Sequence, residues 1–375
     1  MACTNKVILK MRVLIATGSY PPMKCGIGDY TRELALSLIK NRDIKVAILT
    51  STAAISKGGA EEIEVFPVIE KWSLTEIFAA VRVIRLWSPD IVHVQYPTQA
   101  YGKNFLPWVL PIVSFSMGKK VVQTWHEGYS RRHALFLLLK TLVPSGLIFV
   151  RPNFTEEILH PMLGWATWKK RSVFIPNASS IPQVKLRKDE IIEVKSKYLQ
   201  QQKRLIVFFG FIYPAKAVEL IFEIANPVTD QIVIAGEIPG ESDYAKKIMH
   251  CATSVIWQGK VNVTGFLTAN DIAKLLAVSD AVILPFRCGG GEWNTSIHGA
   301  ILNGAFVIST SRTKNGYDAK RNIYFAKIDD VQEMRVALAK FCGVRRNLHN
   351  EKDSDEWLNI ANSHSAFYQN LLSDN

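Results

Sequence analysis

Short apolar segments alternate with helix-like segments along almost the whole 375-residue chain. The apolar segments are about five residues long, and some, such as 281–285, are continuous apolar runs, as in strands that are covered on both faces of a parallel sheet. The predicted strands are residues 12–17, 45–50, 91–95, 120–124, 146–150, 205–209, 231–235, 261–265, 281–285 and 306–310. Helices such as the one predicted from Asp29 to Lys40 complete a βαβ rhythm. The chain is therefore predicted to be an α/β protein with doubly wound parallel sheets.

One stretch interrupts this rhythm. Residues 176–200 begin with turn-forming residues and then become strongly polar, which predicts a connector between two similar α/β halves. Because 375 residues exceed what a single core usually organises, two domains are the natural expectation.

Cysteine usage and the chain start indicate a reducing compartment. The five cysteines are scattered without a C-x-x-C pair, which argues against a zinc site or a disulfide framework. Residues 1–10 lack a secretory signal pattern and are expected to be a dispensable leader. No apolar stretch reaches the roughly 20 residues that a membrane-spanning helix needs. We therefore expect a cytoplasmic protein, either soluble or peripheral on the cytoplasmic face of a membrane.

Basic residues are concentrated in the first half. Residues 1–180 hold 22 Lys and Arg against 12 Asp and Glu, whereas the remaining 195 residues hold 23 against 21. This excess, together with apolar stretches, is compatible with an anionic membrane surface or with a generic solubilising surface. Nucleic acid is not expected as a partner because no compact recognition motif is present. The main candidates for a basic patch are Arg131, Arg132, Lys140, Lys169, Lys170 and Arg171.

The most distinctive local pattern lies between residues 279 and 310. A buried strand is followed by Gly289, Gly290 and Gly291, then by a short helix predicted to end at Gly304, and then by a second strand. The glycines allow close approach of the backbone, and the three polar residues at 294–296 are suited to capping the helix. Such a turn could hold a phosphate at the helix N-terminus, or it could be an ordinary turn without a ligand.

Other strand ends carry further candidates, because ligands of open parallel sheets bind at the carboxyl ends of the strands. Gly26 and Gly28 precede the first predicted helix, which places them where a phosphate or sugar could be contacted. His126 follows a strand and could act as an acid, a base or a hydrogen-bond donor, or serve only its own loop. Lys216 follows the strand at 205–209 and could face a phosphate, or be an ordinary surface lysine.

The order and spacing of these motifs resemble family 4 glycosyltransferases of the GT-B fold, over almost the whole chain. The resemblance rests on GSYPPMKCGIGDYTRELALSL, PDIVHVQYP, VVQTWHE, IPNASSIP, FFGFIYPAK, VTGFLTANDIAKLLAVSDAVILPF and WLNIANSHSAFYQNLL. It implies two Rossmann-like domains that face each other across a cleft. The acceptor-side domain would comprise residues 1–178 with a C-terminal helix at about 356–375, and the nucleotide-sugar domain would comprise residues 179–355.

The resemblance also implies an activity. It is the retaining, metal-independent transfer of a sugar from a nucleotide-sugar to a hydroxyl of a glycan or lipid-linked acceptor, in the synthesis of a surface polysaccharide or glycolipid. No cofactor is expected, and the Asp-x-Asp triplet at 353–355 lies in a polar stretch rather than at a strand end. Without a metal, helix N-termini and cationic side chains must meet the negative charge of the leaving diphosphate.

The residues that the resemblance implies fall into three groups. The catalytic candidates are His126 and Glu292. The donor-binding candidates are Gly26, Ile27, Gly28, Phe211, Lys216, Phe266, Asn294, Thr295 and Ser296. The acceptor-side candidates are Tyr96 and Glu127.

Three positions depart from the family pattern. Phe211 stands where an arginine usually accompanies the lysine of the second domain. Two glutamates with seven residues between them are usual around the short helix, and here those positions are Gly291 and Gly299. Glu292 is one residue from the first, whereas the second, which normally binds the ribose hydroxyls, has no substitute. An alternative is therefore a catalytically weakened protein that binds nucleotide-sugars or glycans.

Overall fold

The computed structural model describes residues 10–55, 63–126, 143, 145–152, 171–238, 240, 242–291, 293–346 and 355–373. The chain divides into two compact units, which are Met1–Ala178 with Ser354–Asn375 and Ser179–Asp353. Each unit contains a seven-stranded sheet with helices packed against it.

The first unit is built on a parallel sheet. Its strands are β1 (Met11–Ala16), β2 (Ile44–Ser51), β3 (Glu64–Ile69), β4 (Ile91–Tyr96), β5 (Lys120–Trp125), β6 (Ser145–Phe149) and β7 (Ser172–Phe174). They follow the spatial order β3-β2-β1-β4-β5-β6-β7, and every neighbouring pair is parallel. The order reverses between β1 and β4, so the carboxyl ends of these strands flank the topological switch point.

The second unit repeats this plan with one difference. Its strands are β8 (Arg204–Phe209), β9 (Asp230–Ala235), β10 (Val261–Val263), β11 (Ala281–Leu284), β12 (Val307–Thr310), β13 (Gly316–Asp318) and β14 (Ile323–Ala326). Their order is β10-β9-β8-β11-β12-β14-β13, and only the β13–β14 pair of these strands is antiparallel. Here the order reverses between β8 and β11.

The described helices occupy the connections between strands. They are α1 (Gly26–Ile39), α2 (Ile77–Trp87), α3 (Leu106–Ser116), α4 (Lys188–Tyr198), α5 (Ile221–Ile224), α6 (Asp243–Thr253), α7 (Ala269–Val278), α8 (Thr295–Leu302), α9 (Val331–Phe341) and α10 (Glu356–Ser373). The doubly wound α/β architecture predicted from the sequence is confirmed. Among the described residues, none of these helices combines the length and apolar character needed to cross a membrane.

Two helix predictions need correction. Helix α1 begins at Gly26, three residues before the predicted start, so Gly26 and Gly28 lie in its first turn rather than ahead of it. The polar stretch at 176–200 is not wholly a connector, because α4 occupies Lys188–Tyr198. Ile191 and Val194 in α4 are spaced to share a face and pack against the core of the second unit. The surrounding charges obscured this short apolar stripe.

The last helix, α10, packs within the first unit. The Lys40 ammonium lies 2.9 Å from the Asp355 carboxylate just ahead of α10. On β6, a Cβ added to Gly146 would come within 2.6 Å of both Phe367 and Leu371. The absence of a side chain at Gly146 therefore allows α10 to pack directly over the sheet, which brings its polar residues close to β4.

Candidate active site

His126 directly follows β5 and is only 7% exposed. Its backbone N–H donates to the carbonyl oxygen of Tyr96, the last residue of β4, at 2.9 Å. Tyr96 is half-buried, its ring packs against Trp108 and Tyr101, and burial raises the pKa of its hydroxyl. The carboxyl ends of β4 and β5 thus bring two of the predicted site residues together.

Gln95 determines the tautomer of His126. The Nε2 atom of His126 lies 2.7 Å from Oε1 of Gln95, and both side chains are buried. An amide oxygen only accepts hydrogen bonds, so Nε2 carries the hydrogen and Nδ1 keeps a lone pair. Burial, and secondarily His364, lower the pKa of His126 to about 3. The imidazole is therefore neutral near pH 7 and offers an acceptor at Nδ1.

Two further histidines, His93 and His364, lie close to the pair formed by His126 and Gln95. His93 on β4 is fully buried, with Nδ1 2.7 Å from the Tyr368 hydroxyl on α10 and Nε2 2.7 Å from the Thr124 hydroxyl on β5. Burial lowers its pKa, with smaller contributions from His364 and His126. These contacts fix β4, β5 and α10 in one buried polar cluster.

His364 belongs to the same cluster and connects it to Tyr30, which contacts His126. Its Nδ1 donates to the carbonyl of Ile360 at 2.8 Å, so its Nε2 is the acceptor for the Tyr30 hydroxyl at 3.5 Å. The Tyr30 ring meets the His126 ring in an edge-to-face contact with centroids 4.8 Å apart. Burial lowers the pKa of His364 to about 4. The orientation of His126 consequently depends on α1 and α10 as well as on β4.

The N-terminus of α1 retains donors that the helix does not use. The first intrahelical bond runs from the Asp29 N–H to the Cys25 carbonyl, so the N–H groups of Gly26, Ile27 and Gly28 precede it. Cys25 provides no side-chain cap. A Cβ on Gly26 would meet open space, whereas one on Gly28 would lie 2.9 Å from the Ser19 carbonyl oxygen. Glycine is thus required at 28 by the neighbouring loop, and the helix terminus can receive an anion.

In the second unit, Lys216 ends a short helical turn that follows β8. Its ammonium nitrogen lies 4.0 Å from the centre of the Phe286 ring, a cation–π contact. Arg287 holds this turn, since its backbone N–H donates to the Ala215 carbonyl at 3.0 Å and its Nη1 donates to the Pro214 carbonyl at 2.8 Å. The loops after β8 and β11 therefore contact each other and together carry two basic side chains, Lys216 and Arg287. We call this pair of loops the basic corner.

Glu219 fixes Arg287 in that corner. Its buried carboxylate accepts from Arg287 at 2.7 Å, from the Tyr244 hydroxyl at 2.7 Å and from Lys247 at 3.1 Å. Burial alone would raise the pKa of Glu219, but the hydrogen bonds from Tyr244 and Arg287 outweigh it and hold that pKa at about 2. The charge of Arg287 is thereby compensated, and Lys216 is the candidate cation for a ligand.

The glycine loop does not offer the backbone donors that the sequence suggested. The Gly289 N–H donates to the Phe286 carbonyl, the Gly290 N–H to the Thr310 carbonyl, and the Gly291 N–H to Oδ1 of Asn294. The glycines serve packing instead, because side chains at 290 and 291 would collide with Ser309 and the Trp293 ring. Asn294 stands at the predicted N-cap position of α8, but the same bond to Gly291 explains why its side chain does not cap the helix.

The donors that remain lie at the start of α8. The N–H groups of Ile297 and His298 both donate to the Asn294 carbonyl, so those of Thr295 and Ser296 precede the intrahelical ladder. Both residues are only partly exposed, and each adds a hydroxyl. Two N–H groups and two hydroxyls at a helix N-terminus suit a phosphate.

Gly299 explains the missing family carboxylate. A Cβ at this position would lie 3.0 Å from the Ser179 hydroxyl and 3.1 Å from Cβ of Ile181. The segment carrying these residues is tied to α8 by Asn303, whose side chain donates to the Pro182 carbonyl and accepts from the Val184 N–H. The start of the second unit therefore fills the space that a glutamate side chain would need.

The remaining predicted residues are less constrained. Phe211 and Phe266, which follow β8 and β10, are 39% and 55% exposed, so both rings are accessible to a ligand. Glu127 and Glu292 lie outside the described residues, as do Arg131, Arg132, Lys140, Lys169 and Lys170. Arg171 donates to the Asn370 carbonyl at 2.8 Å and so helps to hold α10. Within the described ranges, no three His, Cys, Asp or Glu side chains converge as metal ligands.

Sequence reasoning did not identify Gln95, His93, His364 or Arg287 as parts of these sites. Gln95 and His93 carry a detectable signal, because polar residues alternate with Val94 inside an otherwise apolar strand. Asp29 was also missed: burial and neighbouring Glu33 raise the pKa of this first-turn residue of α1 to about 6. His364 and Arg287 had no such local signal.

Comparison with known proteins agrees with this fold. A family model described as glycosyl transferases group 1 matches residues 203–342, within the second unit. No curated protein sequence matches the chain. Solved structures of the same fold include a glycosyltransferase from Rickettsia africae, with a TM-score of 0.67 at 14% identity, covering 98% of this chain and 100% of its own.

Two further structures show the same similarity. Sucrose-phosphate synthase from Thermosynechococcus elongatus has a TM-score of 0.71 at 12% identity, with 98% and 100% of the two chains covered. HepE from Anabaena, solved with UDP and glucose, has a TM-score of 0.65 at 16% identity, with 96% and 95% covered. The fold is therefore that of GT-B glycosyltransferases. The predicted resemblance is confirmed at the level of the fold, and the second unit is similar to glycosyl transferases group 1.

Proposed function

We propose that the protein is a retaining, metal-independent glycosyltransferase that moves a sugar from a nucleotide-sugar to a hydroxyl of a glycan or lipid-linked acceptor. The observation that carries this proposal lies in the second unit, where Lys216 and the glycine loop at residues 289–291 both contact Phe286. Lys216 lies against the Phe286 ring, and the Phe286 carbonyl accepts from Gly289 in the loop that leads to α8. Cationic and N–H donors suited to a diphosphate thus belong to adjoining loops.

The leaving group would be stabilised by these donors. As the bond between sugar and diphosphate breaks, negative charge grows on the phosphate oxygens. Lys216, together with the N–H and hydroxyl groups of Thr295 and Ser296, would bind that charge without rearrangement. The exposed rings of Phe211 and Phe266 would border the nucleotide. In the first unit, the N–H groups of Gly26, Ile27 and Gly28 at the N-terminus of α1 would bind an anionic group of the donor.

His126 would act as a hydrogen-bonding residue rather than as a general base. With a pKa of about 3, it is a poor proton acceptor at neutral pH. Its Nδ1 lone pair, fixed by the Gln95 contact, would accept a hydrogen bond from a hydroxyl of the donor sugar and orient it. Tyr96 would contact the acceptor from the end of the adjacent strand.

The proposed setting is the synthesis of a surface polysaccharide or glycolipid at the cytoplasmic face of a membrane. The basic excess of residues 1–180 supports a peripheral association with anionic lipid. The alternative is a protein that binds nucleotide-sugars or glycans with little turnover. It is favoured by Gly299, since the space for a second carboxylate is filled by Ser179 and Ile181.

A panel of nucleotide-sugars distinguishes these functions. Incubation with each donor, with and without EDTA, should release nucleotide from at least one of them, and NMR of the product should show retained anomeric configuration. Binding of a donor by calorimetry without any nucleotide release would favour the alternative. Loss of release in EDTA, restored by a divalent cation, would contradict the metal-independent mechanism.

A further inference from the structure

Helix α2 in the first unit exposes an unusual number of large apolar side chains. Phe78 is 78% exposed and Leu86 is 74% exposed, and Leu74 in the turn before the helix is 49% exposed. Among the described helices, no other exposes more than one large apolar side chain. The opposite side of α2 is buried through Ala80, Val83, Ile84 and Trp87. The exposed residues are therefore not needed for the core.

Two arginines lie on the same face. Arg82 and Arg85 are exposed, and at 100° per residue they fall with Phe78 and Leu86 within an arc of about 100°. No acidic side chain lies within that arc. The nearest one in sequence, Glu76, is turned toward the preceding loop, where its carboxylate accepts from the backbone N–H groups of Glu70 and Lys71. The face thus combines large apolar side chains with positive charges and carries no negative charge.

The helix is firmly held in this orientation. The indole N–H of Trp87 donates to Glu64 on β3 at 2.8 Å. The Arg12 guanidinium lies 4.3 Å from the Trp87 ring and donates to the Trp87 carbonyl at the C-terminus of α2. Ser88 ends the helix in a left-handed conformation, and its N–H donates to the Ile84 carbonyl. The face is preformed, so a partner would bind it without paying an ordering cost.

We propose that the face formed by Phe78, Arg82, Arg85 and Leu86 docks on an anionic membrane surface. The two apolar side chains would enter the boundary between headgroups and acyl chains, and the two guanidinium groups would contact lipid phosphates. Arginines between apolar residues, with no acid among them, match an anionic lipid layer better than a protein surface of mixed charge. The proposal rests on the proposed function, which includes a peripheral association with anionic lipid, and it deepens that function by naming the surface that makes the contact.

Vesicle binding by the full chain tests this surface. Sedimentation is measured with phosphatidylcholine vesicles that contain or lack phosphatidylglycerol. The wild type should bind the anionic vesicles. Arg82→Gln/Arg85→Gln should weaken that binding about 25-fold, or fivefold for each arginine, and Phe78→Ser/Leu86→Ser should weaken it more than about tenfold.

Matched variants in the second unit provide the controls. Val255 and Ile256 are 88% and 61% exposed, and Lys327 and Lys340 are exposed cations. Val255→Ser/Ile256→Ser and Lys327→Gln/Lys340→Gln should bind anionic vesicles as the wild type does. All variants change exposed side chains, and their melting temperatures should confirm an intact fold. Nucleotide release in the absence of vesicles should also stay unchanged in the α2 variants.

Three results would overturn the proposal. They are equal binding of the wild type to neutral and anionic vesicles, full binding by both α2 variants, or an equal loss in the control variants. A wild-type dimer in size-exclusion chromatography that Phe78→Ser/Leu86→Ser disperses without loss of vesicle binding would assign the face to a second copy. Because the vesicle measurement needs no donor, its failure is separate from a failure to release nucleotide.

Discussion

His126 and the start of α8 occupy similar places in the two units, since each follows a buried strand at its carboxyl end. The chemistry they offer differs. His126 is one neutral side chain whose orientation depends on a buried cluster of Gln95, Tyr30 and two other histidines. The start of α8 offers backbone N–H groups and hydroxyls. Their protonation state, unlike that of His126, does not depend on neighbouring groups.

Because of this difference, the two units should be sensitive to different changes. The first site depends on keeping several imidazoles neutral in an apolar environment, so its stability should respond to pH. The second depends on space for the backbone, so it should respond to side-chain volume at glycine positions.

The largest effect should be acid destabilisation of the first unit. His126, His364 and His93 have pKa values lowered by burial in the folded state, to about 3 for His126 and about 4 for His364. The unfolded chain binds protons near pH 6.5 while the folded chain does not, so stability falls as pH decreases below 6.5. At pH 5 this amounts to roughly 2 kcal/mol for each of His126 and His364.

Hydrogen exchange with mass spectrometry can localise this loss. Opening free energies of peptides from β4 and β5, corrected for intrinsic exchange, should drop between pH 7.5 and pH 5 by several times more than those from β8 and β9. Replacement of the exposed His250 by Gln serves as the control and should leave this dependence unchanged. Equal losses in the two sheets would show that the buried cluster is not the cause.

The second largest effect concerns His126 itself. His126→Ala removes the proposed acceptor for a donor hydroxyl and leaves the Gln95 amide oxygen without its partner, so kcat/KM should fall about 100-fold. His250→Ala is the matched control and should keep its activity. Turnover near the wild-type level in a folded His126→Ala variant would remove His126 from the site.

A third effect tests volume in the second unit. Gly299→Glu introduces the carboxylate usual in the family, but its Cβ would press on Ser179 and Ile181. We expect a loss of stability of about 2 kcal/mol and no gain in nucleotide affinity. Gly299→Ala should show a smaller loss, while Gly26→Ala, at an open position, should be close to neutral for packing. Tighter nucleotide binding by an undamaged Gly299→Glu protein would contradict this account of the missing glutamate.

The fourth effect concerns the cation. Lys216→Ala should weaken binding of a nucleoside diphosphate about tenfold, because a charge-assisted hydrogen bond to phosphate is lost. Titration calorimetry measures this directly, with Lys327→Ala as a control for the loss of one exposed lysine. Unchanged affinity would exclude Lys216 from the diphosphate site.

The contrast between the units also explains what the sequence could predict. Apolar runs such as 205–209 and 231–235 reveal buried parallel strands locally, and the predicted α/β fold is confirmed. The start of α1 was misplaced because Cys25 is not a usual capping residue. Asn294 does occupy the N-cap position of α8, but its side chain bonds to Gly291 instead of capping the helix. The histidine cluster could not be anticipated, since His93 and Tyr368 are 275 residues apart in the chain.

The smallest effect should come from the hydroxyls at the start of α8. Thr295→Val and Ser296→Ala each remove one hydroxyl but keep the backbone N–H groups, so each should weaken nucleoside diphosphate binding only about threefold. The double variant should lose close to the product of the two effects, because the N–H donors remain in place. A Pro at 295 lacks the N–H yet is compatible with the first position of a helix. Thr295→Pro should therefore lose more affinity than Thr295→Val, and calorimetry that finds the two equal would mean that hydroxyls, not backbone, hold the ligand at α8.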